Sequence, residues 1–437
     1  MYVSAGISAG KMGWNSDAGS KINLGGSMKK IIVIVIILIA ITLLAMRTEI
    51  VKRERAIVRT GPGSLFEIVA ELAKGTSIDI LDEEEGWLKM QHEEITGYVS
   101  RKVLKERKSG NDVFLKMGSQ KTDLRISQHG MSAGVKGFAQ KYTSKFKGAP
   151  DFFDYYAKYK LNPKEYKAFR KATYKGFNRR KNYKKIEIPA PRNRDFFTFQ
   201  EEGIGIGIAS GIASLGIDSN MALTDYINEV GNIVVEATDA YDINFKFFIL
   251  DTDLVNGYAC PGGIVFVTRG MLKAINNEAE LACVLAHEIA HVARHHGMIE
   301  LGERRNQVMA EDAFAEMDEE MEGFGIEQDE TSKAVEEEME QLSFQIFETL
   351  INGRLAEYEK EADELAVIYA SRAGYDGRSL LQLLNRLKST ASQSTNEHYT
   401  QNQISERIQL VGSYLSRIEL PNNLFKNKNR WNQRSRM

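Results

Sequence analysis

Two cysteines among 437 residues, Cys260 and Cys283, exclude a disulfide-stapled scaffold and a zinc ribbon, and they read as two buried thiols. Seven prolines are too few for a Pro-rich linker or a collagen-like repeat, and their scarcity points to helices. Net charge is nearly absent: 57 basic and 59 acidic residues leave −2, so the whole molecule is no polyelectrolyte. Apolar residues at 43% and charged residues at 27% exclude wholesale disorder. At roughly 100–200 residues per domain, a chain of this length holds about two to four domains.

The balanced total hides an internal asymmetry. Residues 136–194 carry 18 Lys and Arg against 4 acidic residues, whereas residues 300–340 carry 16 acidic against 3 basic. Segments of net +14 and −13 either attract each other, meet different partners, or form two solvated faces. An inhibitory clasp, with the acidic segment lying over a cleft, is one arrangement such charges would favour.

Residues 31–46 read IIVIVIILIAITLLAM, behind Lys29 and Lys30 and ahead of Arg47. As a helix this run spans about 24 Å, short of the roughly 30 Å hydrocarbon core. No clear A-x-A cleavage site follows, so residues 28–47 are expected to be an uncleaved signal anchor, with a cleaved signal peptide as the other reading. Either way the rest of the chain is expected to be exported to the cell envelope. Residues 1–27 are Gly- and Ser-rich without hydrophobic periodicity and read as a disordered extension.

Between residues 51 and 107 the pattern changes to short alternating runs such as Ala56-Ile57-Val58-Arg59 and Gly97-Tyr98-Val99, broken at Gly61-Pro62-Gly63, Gly75 and Gly86. Five or so short strands in under sixty residues predict a small barrel. The succession V-R-x-G-P-G, K-G-T, G-W-L-K-M and G-Y-V resembles a bacterial SH3-like domain. That resemblance implies binding, to cell-wall peptide or a protein segment. Trp87 is either the aromatic of its groove or a core residue. Residues 108–195 then form a basic connector, in which Phe152, Phe153, Tyr155, Tyr156, Tyr166, Phe169 and Tyr174 recur at about helical spacing among lysines. No nucleic-acid motif is present, so the expected contacts are anionic lipid, wall polymer or the acidic segment.

The run Gly203-Ile204-Gly205-Ile206-Gly207 is no dinucleotide loop, because no βαβ unit frames it. Its small residues predict close helix packing, with a membrane-dipping helix as the sharper alternative.

The chemistry begins near residue 280. Asn277 and Glu280 form a capping-box pattern ahead of an apolar helix that runs into His287-Glu288-Ile289-Ala290-His291. Four residues make about one helical turn, so both imidazoles face one ion, while Glu288 sits beside them as a base. Such a pentapeptide arises by chance in roughly one chain in a hundred, so it needs a third ligand to carry weight. The bland alternative is an amphipathic helix with solvated histidines, and His295 and His296 nearby show that the stretch tolerates histidine. Downstream, Glu357, Glu359, Glu361 and Asp363 lie on a second apolar-periodic helix. Spacing does not choose among the three glutamates. Two histidines and a carboxylate leave a fourth position open, as in catalytic zinc sites.

The series from Asn256-Gly257-Tyr258-Ala259-Cys260-Pro261-Gly262-Gly263 to Thr268-Arg269-Gly270 precedes this motif; Glu359-x-x-x-Asp363 and Ala373-Gly374-Tyr375-Asp376 follow it. Residues 196–420 thereby resemble the HtpX/BepA-like gluzincin metallopeptidases, relatives of the Ste-type CAAX proteases. The resemblance implies one zinc ion per chain on His287, His291 and Glu359, with Asp363 orienting a ligand histidine and Glu288 as general base. It also points to His398 and Arg407. The family's His-Pro is only partly matched, because His398 lacks the proline. His398 would act as gate, fourth ligand or transition-state donor; Arg407 would neutralise an oxyanion or anchor its helix.

Residues 245–250 are expected to form a strand and residues 255–268 a hairpin turning at Pro261-Gly262-Gly263, a place for an extended peptide to add by β-pairing or simply a brace for the helix. The expected fold is α+β and multidomain. It comprises an apolar anchor helix, an all-β SH3-like barrel, and a mainly helical zincin-type domain with a small sheet, ending in a basic tail at 421–437. The expected function is zinc-dependent cleavage of misfolded or unassembled envelope proteins. A latched or chaperone-like binding protein and a cell-wall hydrolase are the alternatives built on the same site.

Overall fold

Alternating short runs separated by glycine build six strands: β1 (Arg47–Ile50), β2 (Arg55–Arg59), β3 (Ile68–Ala73), β4 (Ser77–Glu84), β5 (Trp87–His92) and β6 (Ile95–Ser100). They join in the order β1-β4-β5-β6-β2-β3. Gly75 and Gly86 take left-handed φ values of 87° and 95° at the turns before β4 and β5, which a side chain would strain. Ala56, Val58, Leu72, Ile78, Leu88, Met90 and Val99 fill the interior. Trp87 is 4% exposed, which settles it as a buried residue.

The computed structural model describes residues 47–106, 149, 151–178, 185–189, 199–297, 299, 356–391 and 401–436, apart from 54 and 85. The expected extension (1–27), the whole apolar run 31–46, the acidic segment 300–340 and His398 lie outside the described residues, as does much of the connector. Among the described residues no helix is long and apolar enough to cross a membrane.

Helices α1 (Phe152–Lys158) and α2 (Pro163–Thr173) come from the basic connector. Their aromatic faces turn inward: Phe152 packs on Phe248 and Phe266 with ring centroids 5.6 and 5.5 Å apart, and Phe169 meets Tyr226 edge-on. The aromatics that read as contacts for a polymer or lipid therefore largely serve the core, and the lysines between them stay outside.

Helices α3 (Phe199–Ala213) and α4 (Met221–Glu236) precede a mixed sheet of β7 (Lys246–Leu250), β8 (Gly257–Cys260) and β9 (Ile264–Thr268). The order is β7-β9-β8, with β9 parallel to β7 and antiparallel to β8. The Asn228 amide of α4 closes the outer side of β7, donating to Phe247 O at 2.6 Å and accepting from Phe247 N at 3.0 Å. On α3, a Cβ at Gly205 would lie 1.5 Å from Pro261 O, so the glycine run lets this helix approach the hairpin turn rather than another helix.

The remaining helices are α5 (Arg269–Ala274), α6 (Glu278–Ala293), α7 (Ala356–Arg372), α8 (Ser379–Ala391), α9 (Gln401–Arg417) and α10 (Lys428–Arg434). The stretch from 421 onward, which read as a basic tail, folds back on the core. Trp431 is 4% exposed, and Arg430 engages fully buried Glu278 at the start of α6 through Nε and Nη2.

The barrel docks on the C-terminal end of α4. Arg59, fully buried, donates to Asp242 O at 2.9 Å, and Lys102 Nζ donates to Glu236 O and Thr238 O. Of these carbonyls Glu236 O is in the last turn of α4, which has no intrahelical partner for it, and the other two lie in the turn that follows.

Candidate metal centre

The central helix α6 starts as its sequence foretold. Asn277 Oδ1 accepts from Glu280 N at 3.1 Å, and Glu280 Oε2 reaches back to Asn276 N at 2.7 Å. The return bond lands one residue before the cap, because Glu280 also accepts from Asn277 Nδ2 and is held by Arg386. Every residue from Glu278 to Ala293 is buried, as expected of a helix apolar on all sides. Its polar exceptions therefore need partners.

His287 and His291 place their Nε2 atoms 3.1 Å apart. Glu359 on α7 completes the triangle, with Oε2 3.3 Å from His287 Nε2 and Oε1 3.4 Å from His291 Nε2. A tetrahedral ion with bonds of about 2.0–2.1 Å requires ligand atoms about 3.3 Å from one another; the two histidines come close to that spacing with each other, and each reaches it with a different oxygen of Glu359. They are the one such cluster found among the described residues. The three glutamates are now told apart: Glu357 is exposed, and Glu361 faces Arg294 and His296 at 3.4 and 3.5 Å.

Asp363, one turn beyond Glu359, lies 3.0 Å from His287 Nδ1. Arg407 of α9 grips Asp363 through two hydrogen bonds of 2.8 and 2.7 Å and stands 3.4 Å from Glu359 Oε2. Arg407 thus anchors the carboxylate that faces His287. Burial opposes charge on Asp363, but Arg407 and His287 outweigh it and hold the group below its ordinary range. At Glu359 burial is likewise outweighed by the two histidines, and the carboxyl is held well below the usual range. Burial works against a charged His287, yet Glu359 and Asp363 prevail and lift it to about 10.

Glu288 is 7% exposed and backs onto the start of β8. A Cβ at Gly257 would lie 2.4 Å from Glu288 Oε1, so the bare glycine makes room for this carboxylate between helix and sheet.

A helix bearing two histidines one turn apart, a glutamate beside them and a carboxylate from a second helix is a peptidase arrangement, and residues 222–414 match the profile of Peptidase family M48. Residues 54–105 match that of the bacterial SH3 domain. This part of the chain is similar to the peptidase family M48 domain. Among its relatives is the beta-barrel assembly-enhancing protease of Yersinia pestis, 35% identical over 111 residues, which are 21% of this chain and 23% of that protein. The protein of that name in Escherichia coli strain K12 is 38% identical over 74 residues, 17% of this chain and 15% of the relative. Mitochondrial metalloendopeptidase OMA1 of Schizosaccharomyces pombe is 37% identical over 73 residues, 16% and 22% of the two chains. Each alignment thus spans less than a quarter of the relative's length.

One residue beside the site had no role in the sequence reading. His296 is 1% exposed, and its Nδ1 lies 2.9 Å from His291 Nδ1. No spacing rule points to it, because α6 ends before it. Arg294 caps the helix, and His295 turns the chain with a left-handed φ of 56°.

Proposed function

We propose that this chain is a zinc-dependent endopeptidase in which His287, His291 and Glu359 hold the metal and Glu288 is the general base. The observation that carries the reading is the cluster on two helices in which the two Nε2 atoms lie 3.1 Å apart and the two oxygens of Glu359 lie 3.3 and 3.4 Å from them, with Glu288 beside it. Zinc bound there supplies Lewis acidity, polarising a scissile carbonyl and lowering the pKa of a water towards about 7. Glu288 takes the attacking water's proton on its carboxylate and hands it to the departing amine. Asp363 keeps His287 in the tautomer that presents Nε2, and Arg407 keeps Asp363 charged and in place. The substrate backbone runs extended along β8, the strand that meets Glu288 at Gly257, so that a peptide bond is aligned with the base.

The natural substrates are misfolded or unassembled proteins of the cell envelope. This follows from the names of the bacterial relatives, which concern β-barrel assembly, and from the export signal expected at residues 28–47. The same segment would tether the chain to the membrane. The SH3-like barrel would offer a protein or cell-wall ligand whatever surface its contact with α4 leaves.

The full-length chain incubated with zinc and unfolded casein should cleave it, and Glu288→Gln should abolish cleavage while retaining one zinc per chain. Loss of zinc from that variant would show that base and ligand have been confused. Cleavage by the variant would remove Glu288 from the mechanism.

A further inference from the structure

The two histidines of the site are not supported alike. His287 has a carboxylate directly behind it, with Asp363 3.0 Å from Nδ1. Behind His291 stands another imidazole: His296 Nδ1 lies 2.9 Å from His291 Nδ1, the rings 75° apart and their centroids 5.0 Å apart. Beyond that ring, His296 Nε2 lies 3.5 Å from Glu361 Oε2, whose other oxygen lies 3.4 Å from Arg294 Nε.

Proton placement along this row is forced once His291 turns Nε2 to a metal. A neutral imidazole coordinating through Nε2 carries its hydrogen on Nδ1. Two nitrogens 2.9 Å apart cannot both hold hydrogens, so His296 Nδ1 must accept, and its own hydrogen moves to Nε2. That hydrogen then faces Glu361, at an ion-pair distance rather than that of a tight bond, and the carboxylate favours this tautomer.

The backbone shows the same investment. Residue His295 has φ 56°, a conformation that usually falls to glycine. This turn ends α6 and brings the next side chain back beside His291, and the strain of a non-glycine residue is kept where it places a functional group.

We propose that His296 and Glu361 are the positioning arm of the second metal histidine, a relay that matches Asp363 behind the first. The inference rests on His291 being a ligand, as in the proposed function, and is independent of the substrate. Glu361 thereby gains a role distinct from Glu359, two residues away on the same helix. One carboxylate binds, and the other orients through an imidazole.

The test is zinc affinity of the full-length chain, measured by competition with a chromophoric chelator, together with the visible spectrum of the cobalt-substituted protein. His296→Phe keeps a flat ring but removes the acceptor, and should weaken zinc about 10–100-fold and shift the cobalt bands. His296→Asn places an amide oxygen near the old Nδ1 position and should recover affinity to within about threefold of the parent. Glu361→Gln should weaken zinc in the parent and change nothing in the His296→Asn background, where the relay is already cut. Parental affinity and an unchanged cobalt spectrum in His296→Phe would overturn the relay. So would equal losses in the Phe and Asn variants, which would mark His296 as a packing residue. A parent that binds no zinc would instead refute the metal site itself.

Discussion

Replacing Asp363 would separate the two jobs that the proposed function gives its carboxylate. It lies 3.0 Å from His287 Nδ1 and accepts two bonds from Arg407, and its side chain is 2% exposed against 12% for the arginine. Asp363→Asn keeps the shape and removes the charge. An uncompensated buried guanidinium costs about 3–5 kcal/mol when its partner is lost. The lower end, about 3 kcal/mol, applies here because Arg407 retains Glu359 at 3.4 Å and is not fully buried. Zinc affinity should fall separately by about 10–100-fold, or about 1.4–2.8 kcal/mol, because the amide no longer enforces the His287 tautomer. Adding Arg407→Met removes the stranded charge, so the double variant should regain most of the lost stability and none of the lost affinity. Urea denaturation of the metal-free proteins reads the first quantity, and chelator competition reads the second. A double variant that binds zinc as tightly as the parent would refute the orienting role of Asp363.

Zinc uptake should be strongly pH-dependent. His287 in the metal-free site holds its proton up to about 10, so binding must displace it. Affinity should therefore climb by about tenfold per pH unit through the neutral range, with proton release detectable by calorimetry in buffers of different ionisation heat. Lys102 sets a second pH signal. Desolvation, only partly offset by Asp239 and Glu236, depresses its ammonium from 10.5 to about 7. Between those values the unfolded chain binds more protons than the folded one, so this group makes stability rise with pH, and Lys102→Met should flatten that rise in denaturation curves. Gly205→Ala should destabilise by about 3 kcal/mol, since its Cβ would meet a backbone oxygen at 1.5 Å. In contrast, Gly412→Ala on α9, with open space around it, should stabilise by about 0.5–1 kcal/mol in the same denaturation assay.

Sequence alone determined whatever depends on local spacing. Two histidines four residues apart share a helix face wherever the helix sits, and Asn277 with Glu280 marks where that helix begins. Alternation and glycine turns specified the barrel and the hairpin at Pro261-Gly262-Gly263 in the same way. Tertiary structure decided what depends on which side of an element meets a neighbour. By spacing alone Glu357, Glu359 and Glu361 are equivalent; the family resemblance pointed to Glu359, and the crossing of α7 over α6 is what turns Glu359 to the histidines and Glu361 to His296. The aromatics of the connector could have faced a polymer, but burying them against Phe248 and Phe266 removes more apolar surface from water than leaving them on a lysine-rich face. His296 lies past the end of its helix, where periodicity no longer applies, and a single left-handed residue brings it to the site.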